Sequence, residues 1–314
     1  MDQKVLDKLV QLTEKYESTG QDVSSFLEGL YHTSFLTYWD YIRLDTLLSL
    51  QNPKTDFEDE EIFITYHQIT ELYFKLMINE LNAIGEKDVV DEGLFIKRLT
   101  RLNRYARQLS SSISMMTEGI DQDQFLKFRM ALLPSSGFQS VQFRILEMAS
   151  TDMINLVGIQ SRDKITQDAT SEELYEHIYW KYGATELKSG DKTLTLKQFE
   201  EKYTKRLLEC SRSYQRQNLY KVFRSYYKSG GNNKILELLK EFDSLINIQW
   251  RLAHFKSAIK HLKQDPQDLN STGGTNWKNY LPPRFQKIIF FPELWTEEER
   301  ANWGRKWLLL EEDA

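Results

Sequence analysis

An all-α fold is what this chain predicts, and three features carry the expectation. Apolar residues recur at helical spacing along most of the length, and strand-like alternation is short and rare. Six prolines in 314 residues leave room for long uninterrupted helices. No internal repeat, low-complexity tract or shift in composition divides the chain, so a single mainly helical domain over residues 1–314 is expected.

The elements follow in order. Val5, Leu6, Leu9, Val10 and Leu12 predict a helix over 3–16. Residues 24–50 read as helical in pieces, with Tyr38, Tyr41, Leu44 and Leu48 on one side. Gln51-Asn52-Pro53 stops them, because the residue before a proline is pushed out of helical geometry. The 59–81 segment, DEEIFITYHQITELYFKLMINEL, carries a broad apolar face of Ile62, Phe63, Tyr66, Ile69, Tyr73, Phe74, Met77 and Leu81. Acidic residues fill its first turn, where the helix dipole favours them. A polar link leads to a helix over 94–116 with Leu99, Leu102, Tyr105, Ala106, Leu109 and Ile113 inward. A shorter helix is expected over 124–132, a loop at 134–137, and another helix over 138–149. Further helices are predicted over 172–182, 196–227, 234–263 and 296–310, the last opened by a Thr296/Glu299 capping box. A Gly/Asn/Ser/Thr-rich loop precedes Tyr280.

Composition excludes several classes. The net charge of -5, without a dense basic stripe, argues against nucleic acid as main partner. The lone Cys210 allows neither an internal disulfide nor a cysteine metal cluster. No apolar run is long enough to span a bilayer, and the charged amphipathic start is not a signal peptide, so a soluble cytoplasmic protein is expected. With 17 Phe, 16 Tyr and 7 Trp, a ring-lined cavity is within reach of the composition.

Five histidines stand at 32, 67, 177, 254 and 261, none in a zinc-protease or carboxylate–histidine metal spacing. His67 lies beside Phe63 and Phe74 on the 59–81 face, and by this pattern alone also reads as an ordinary buried residue. His254 sits where the 234–263 helix is apolar on more than one side, as a deeply buried helix would be. It reads either as a structural histidine or as an axial haem ligand, since neutral imidazole binds iron well in an apolar surround. His261 is expected to be exposed near the helix end, and His32 and His177 to be structural or surface residues. Cys210 has no histidine near it in sequence to make it a catalytic thiolate.

Six ordered blocks then bear on function: TYWDYIRLDTLLSLQNP at 37–53, EDEEIFITYHQITELYFKL at 58–76, SGFQSVQFRILE at 136–147, WRLAH at 250–254, TGGT at 272–275 and FPELW at 291–295. Together the chain resembles the tryptophan 2,3-dioxygenase family, within the wider haem-dependent aromatic oxygenase superfamily. The resemblance implies a helical haem-binding domain, a haem b cofactor, and cleavage of the indole pyrrole ring of L-tryptophan by molecular oxygen to N-formyl-L-kynurenine. His254 matches the proximal iron ligand, His67 the distal histidine, Arg144 the carboxylate anchor and Thr272 the contact to the ammonium. Phe63, Tyr38 and Tyr41 fall where the family lines its pocket. A homotetramer is implied, with residues 1–19 an intersubunit helix, as is a place in tryptophan catabolism through the kynurenine pathway. The chain departs from the family pattern at Glu58, where a histidine is usual, in a longer linker before TGGT, and at Asn276-Trp277-Lys278. A second reading therefore stays open, a haem-dependent monooxygenase of a substituted indole or another aromatic amino acid.

Overall fold

The computed structural model describes residues 2–86, 91–133, 135–166, 168–185, 191–228, 232–262 and 281–305. Helices account for the regular structure, as predicted. No strand forms among the described residues, and Val157 with Ile178 and Thr185 with Lys192 pair only as isolated bridges. No helix among them is long and apolar enough to cross a membrane. The chain divides into two compact units, Met1–Gln51 and Asn52–Ala314, at the proline stop.

The first unit holds α1 (Gln3–Glu17), α2 (Val23–Tyr31), α3 (Tyr38–Ile42) and α4 (Leu44–Leu48). Asp2, Asp22 and Thr37 cap α1, α2 and α3 by accepting from backbone amides of the first turn. Tyr16 and Phe26 bring α1 and α2 together with ring centroids 5.3 Å apart. Val23 is the one buried apolar residue described here, while Tyr31, Phe35, Tyr38, Trp39 and Tyr41 are exposed. Some fifty residues with so little core do not stabilise themselves by burial.

The second unit is built around α5 (Asp59–Gly85), which packs against α6 (Glu92–Ser112) and α9 (Val141–Ser150). Phe74, Met77, Leu81 and Ile84 on α5 and Phe95, Leu99, Leu102, Ala106 and Leu109 on α6 belong to one buried cluster. Buried Glu60 accepts from the Lys54 and Thr55 amides, and Asp59 accepts from the Asp121 amide, fixing the start of α5. Short helices α7 (Ser114–Thr117) and α8 (Gln122–Phe128) lead to a 3-10 turn at Arg129–Leu132. Helices α10 (Ser171–Glu176), α11 (Tyr179–Gly183), α12 (Leu194–Gln217), α13 (Leu219–Tyr226), α14 (Asn233–Ser244) and α15 (Trp250–Leu262) follow. Asn103 of α6 donates to the Leu238 carbonyl and to Glu241, tying α6 to α14.

Several predicted helices are interrupted or shortened, three of them as follows. The 138–149 helix begins only at Val141, because Ser136 and Gln139 form a capping box around a 3-10 turn and Ser140 then caps α9. The 196–227 helix breaks at Asn218, whose side chain caps α13 and also donates to Asp152. The 234–263 helix carries a π-turn at Leu245–Gln249, which offsets the faces of α14 and α15. That offset is why the segment looked apolar on several sides.

Candidate active site

Two helices of the second unit bring a histidine each to the site. On α5, His67 bonds through Nδ1 to the carbonyl oxygen of Phe63, one turn earlier, at 2.7 Å. A carbonyl only accepts, so in the neutral ring Nδ1 holds the proton and Nε2 keeps its lone pair. The ring lies on Phe63 with centroids 4.1 Å apart and meets Tyr66 edge-on at 5.6 Å. Burial lowers its pKa, against the opposing effects of the Phe63 carbonyl and of Glu71. Phe63 in turn rests against Phe125 and Phe128 of α8, at 6.2 and 5.8 Å between centroids.

His254 stands one turn into α15, only partly covered at its surface. Its ring tilts against Trp250 at 5.8 Å, and Trp250 meets Phe74 of α5 edge-on at 6.4 Å. The other flank is backbone, since a Cβ added to Gly137 would lie 3.6 Å from His254 Cε1. Neither ring nitrogen hydrogen-bonds a described residue. Burial, and then repulsion from a charged His67, push its pKa down to about 4. The second cause means that the two imidazoles lie within electrostatic reach of each other.

No three His, Cys, Asp or Glu side chains converge on a metal position among the described residues. Haem needs no such cluster, because the porphyrin supplies four nitrogens and the protein one axial ligand. A neutral imidazole with no hydrogen bond to a described residue, walled by an indole ring and a glycine, suits that place.

Arg144 is engaged elsewhere. It is buried on α9, where its NH1 donates to Glu147 Oε2 at 2.8 Å and to the Tyr179 hydroxyl at 2.7 Å. Its Nε donates to the Phe138 carbonyl at 3.3 Å. Arg144 shares the buried Glu147 carboxylate with Arg251. Arg129, not singled out from the sequence, lies near the rings packed on Phe63. Arg129 follows Phe128 and lies one turn after Phe125, the two rings that rest on Phe63. It is buried, and that burial lowers its pKa. Its signal in FLKFRMALL is a cation with apolar residues directly on both sides.

The remaining candidates scatter. Tyr38 and Tyr41 are exposed in the first unit. Thr272, the TGGT loop and Asn276-Trp277 lie outside the described residues. His261 is buried rather than exposed, with Nδ1 on the Ser257 carbonyl and its ring 5.0 Å from Phe125. His177 bonds Ser161 and Tyr182, and exposed His32 pairs with Glu28. Burial raises the Cys210 pKa, the opposite of what a reactive thiolate needs.

A family model described as tryptophan 2,3-dioxygenase matches residues 28–207. The chain belongs to the tryptophan 2,3-dioxygenase family. The tryptophan 2,3-dioxygenase of Bacillus thuringiensis subsp. konkukian (strain 97-27) is 27% identical over 275 residues, covering 84% of this chain and 94% of that protein. That of Polaromonas sp. (strain JS666 / ATCC BAA-500) is 28% identical over 271 residues, 83% of this chain and 86% of its own. That of Shewanella woodyi (strain ATCC 51908 / MS32) is 29% identical over 283 residues, 85% and 92% of the two chains. Membership of the tryptophan 2,3-dioxygenase family makes the protein an oxidoreductase, and the family match contains Phe63, His67, Arg129 and Arg144.

Proposed function

We propose that this protein binds haem b through His254 and uses molecular oxygen to open the indole pyrrole ring of L-tryptophan, giving N-formyl-L-kynurenine. The observation that carries the reading is His254 itself, neutral, without a hydrogen bond to a described residue, and in electrostatic reach of a second histidine of fixed tautomer. When bound, haem supplies the oxygen chemistry, and the protein supplies ligation, orientation and a dry pocket.

The residues divide the remaining work. Phe63 offers an aromatic wall to a flat indole. With Nδ1 committed to the Phe63 carbonyl, His67 turns an acceptor nitrogen toward the ligand, which matches the indole N–H. Its lowered pKa makes it a weak base, so it positions the indole rather than deprotonating it. Arg129 takes the substrate carboxylate in place of Arg144, as its burial beside the rings on Phe63 supports. Thr272 is proposed for the ammonium on the strength of the family resemblance. The exposed rings of the first unit, Tyr38 and Tyr41 among them, are surfaces for other copies in a homotetramer that forms one oxygenase.

The reading is tested by supplying the reduced, haem-loaded protein with L-tryptophan and isotopically labelled oxygen. A ring-opened product holding both atoms of one oxygen molecule is expected. A single labelled atom in an intact, hydroxylated ring would establish the monooxygenase reading in its place.

Acidity gives a second test. Iron takes the deprotonated imidazole, so protons compete only near or below the His254 pKa of about 4. Haem loading should stay flat from about pH 8 to about pH 5 and fall tenfold per unit below about pH 4. An ordinary imidazole of pKa 6.5 would begin to lose haem at that higher value. Soret titrations across the range distinguish the two.

A further inference from the structure

His254 has no hydrogen bond to a described residue to hold its ring, so its direction depends on α15 and on the Gly137 backbone beside it. A closed circuit of buried contacts joins those two supports. Arg251, one turn before His254 on α15, donates through NH2 to the Tyr179 hydroxyl at 2.9 Å, to Glu147 Oε1 at 3.2 Å and to Asn247 Oδ1 at 3.3 Å. The Tyr179 hydroxyl donates to Glu147 Oε1 at 2.5 Å, and Arg144 closes on the same two residues from α9. Arg144 Nε then holds the carbonyl of Phe138, the residue after Gly137. Glu147 is 0% exposed, Tyr179 1%, Arg144 3% and Arg251 7%.

Two guanidinium groups on one buried carboxylate are a poor device for stability. Desolvation costs several kcal/mol per ion, and apolar residues of equal volume often do as well or better. The same cluster is well made for fixing geometry, because each member accepts or donates in a defined direction. We infer that the Arg144–Glu147–Tyr179–Arg251 cluster is a positioning device, which sets the angle of the His254 imidazole against the Gly137 wall. This rests on His254 being the haem ligand. Tyr179 is the hinge of the circuit, since its hydroxyl touches both arginines and the carboxylate.

Tyr179→Phe removes that hydroxyl and keeps the ring and both ion pairs. The variant should fold and take up haem, with a shifted iron–histidine stretching frequency and haem dissociation about tenfold faster, the scale of an outer-shell change. Glu147→Gln should move both readouts in the same direction. A Leu207→Ala variant, cut in the core on α12, should lose stability without moving the stretching frequency. Wild-type frequency and dissociation rate in both Tyr179→Phe and Glu147→Gln would overturn the inference, as would an equal frequency shift in Leu207→Ala. An iron–histidine band that persists in His254→Ala would instead overturn the assignment of the ligand, so the two failures are separable.

Discussion

Replacing His254 by alanine should give a folded protein that no longer holds haem. The side chain is only partly covered and hydrogen-bonds no described residue, so its loss breaks no polar contact of the fold. What is lost is the single axial bond from protein to iron. A fall in haem affinity of at least about a hundredfold is expected, at the upper end of what ligand-shell changes cost and beyond it. Imidazole added to the solution should restore part of the binding by occupying the space left beside Trp250 and Gly137. Haem titration followed at the Soret band checks both points, and an unchanged affinity with a histidine-ligand spectrum would refute the assignment. His67→Ala should behave differently. It should keep haem and lose turnover, because its acceptor nitrogen addresses the substrate.

Arg129→Leu should weaken L-tryptophan binding by about 2–5 kcal/mol while leaving tryptamine, which lacks the carboxylate, nearly unaffected. The size follows from desolvation, since a substrate carboxylate facing leucine in a buried site loses water without gaining a donor. The parallel change Arg144→Leu should read out in a different measurement. It removes a donor from buried Glu147, from the Tyr179 hydroxyl and from the Phe138 carbonyl, leaves Glu147 paired with Arg251, and should cost about 1–3 kcal/mol of folding stability. Calorimetric ligand titration and denaturant unfolding of both variants tell the roles apart. Selective loss of tryptophan over tryptamine in a stable Arg144→Leu protein would return the anchor to α9.

The contrast between those arginines shows what could be seen in the residues alone. Apolar periodicity was enough for α5 and α6, whose buried faces are read directly from Phe74, Met77 and Leu81 and from Leu99, Leu102 and Leu109. It could not rank Arg129 against Arg144, since each lies in an apolar helical stretch. One signal did exist, for Glu147 stands three residues after Arg144, the spacing at which helical charges meet. The break at Asn218 was beyond local reading, because it depends on Asp152, far away in sequence. The π-turn has no composition of its own and was equally hidden. His261 was misjudged for a similar reason, as its cover comes from Phe125 and Ile120 on another part of the chain.

That π-turn also decides which buried groups share a side of the bundle. Asp243 and His254 are separated by three regular helical turns, which in an unbroken α-helix would leave them about 20° apart around the axis. A π-turn takes up one residue without advancing the phase, so the angle grows to about 80°. Asp243 is thereby swung toward the amides of Phe290 and Phe291 and the indole of Trp295, which all donate to it. Even with those bonds, burial lifts its pKa to about 6, so this carboxyl gains and loses its proton close to neutrality. The extra residue keeps a proton-exchanging oxygen a quarter-turn away from the imidazole of His254.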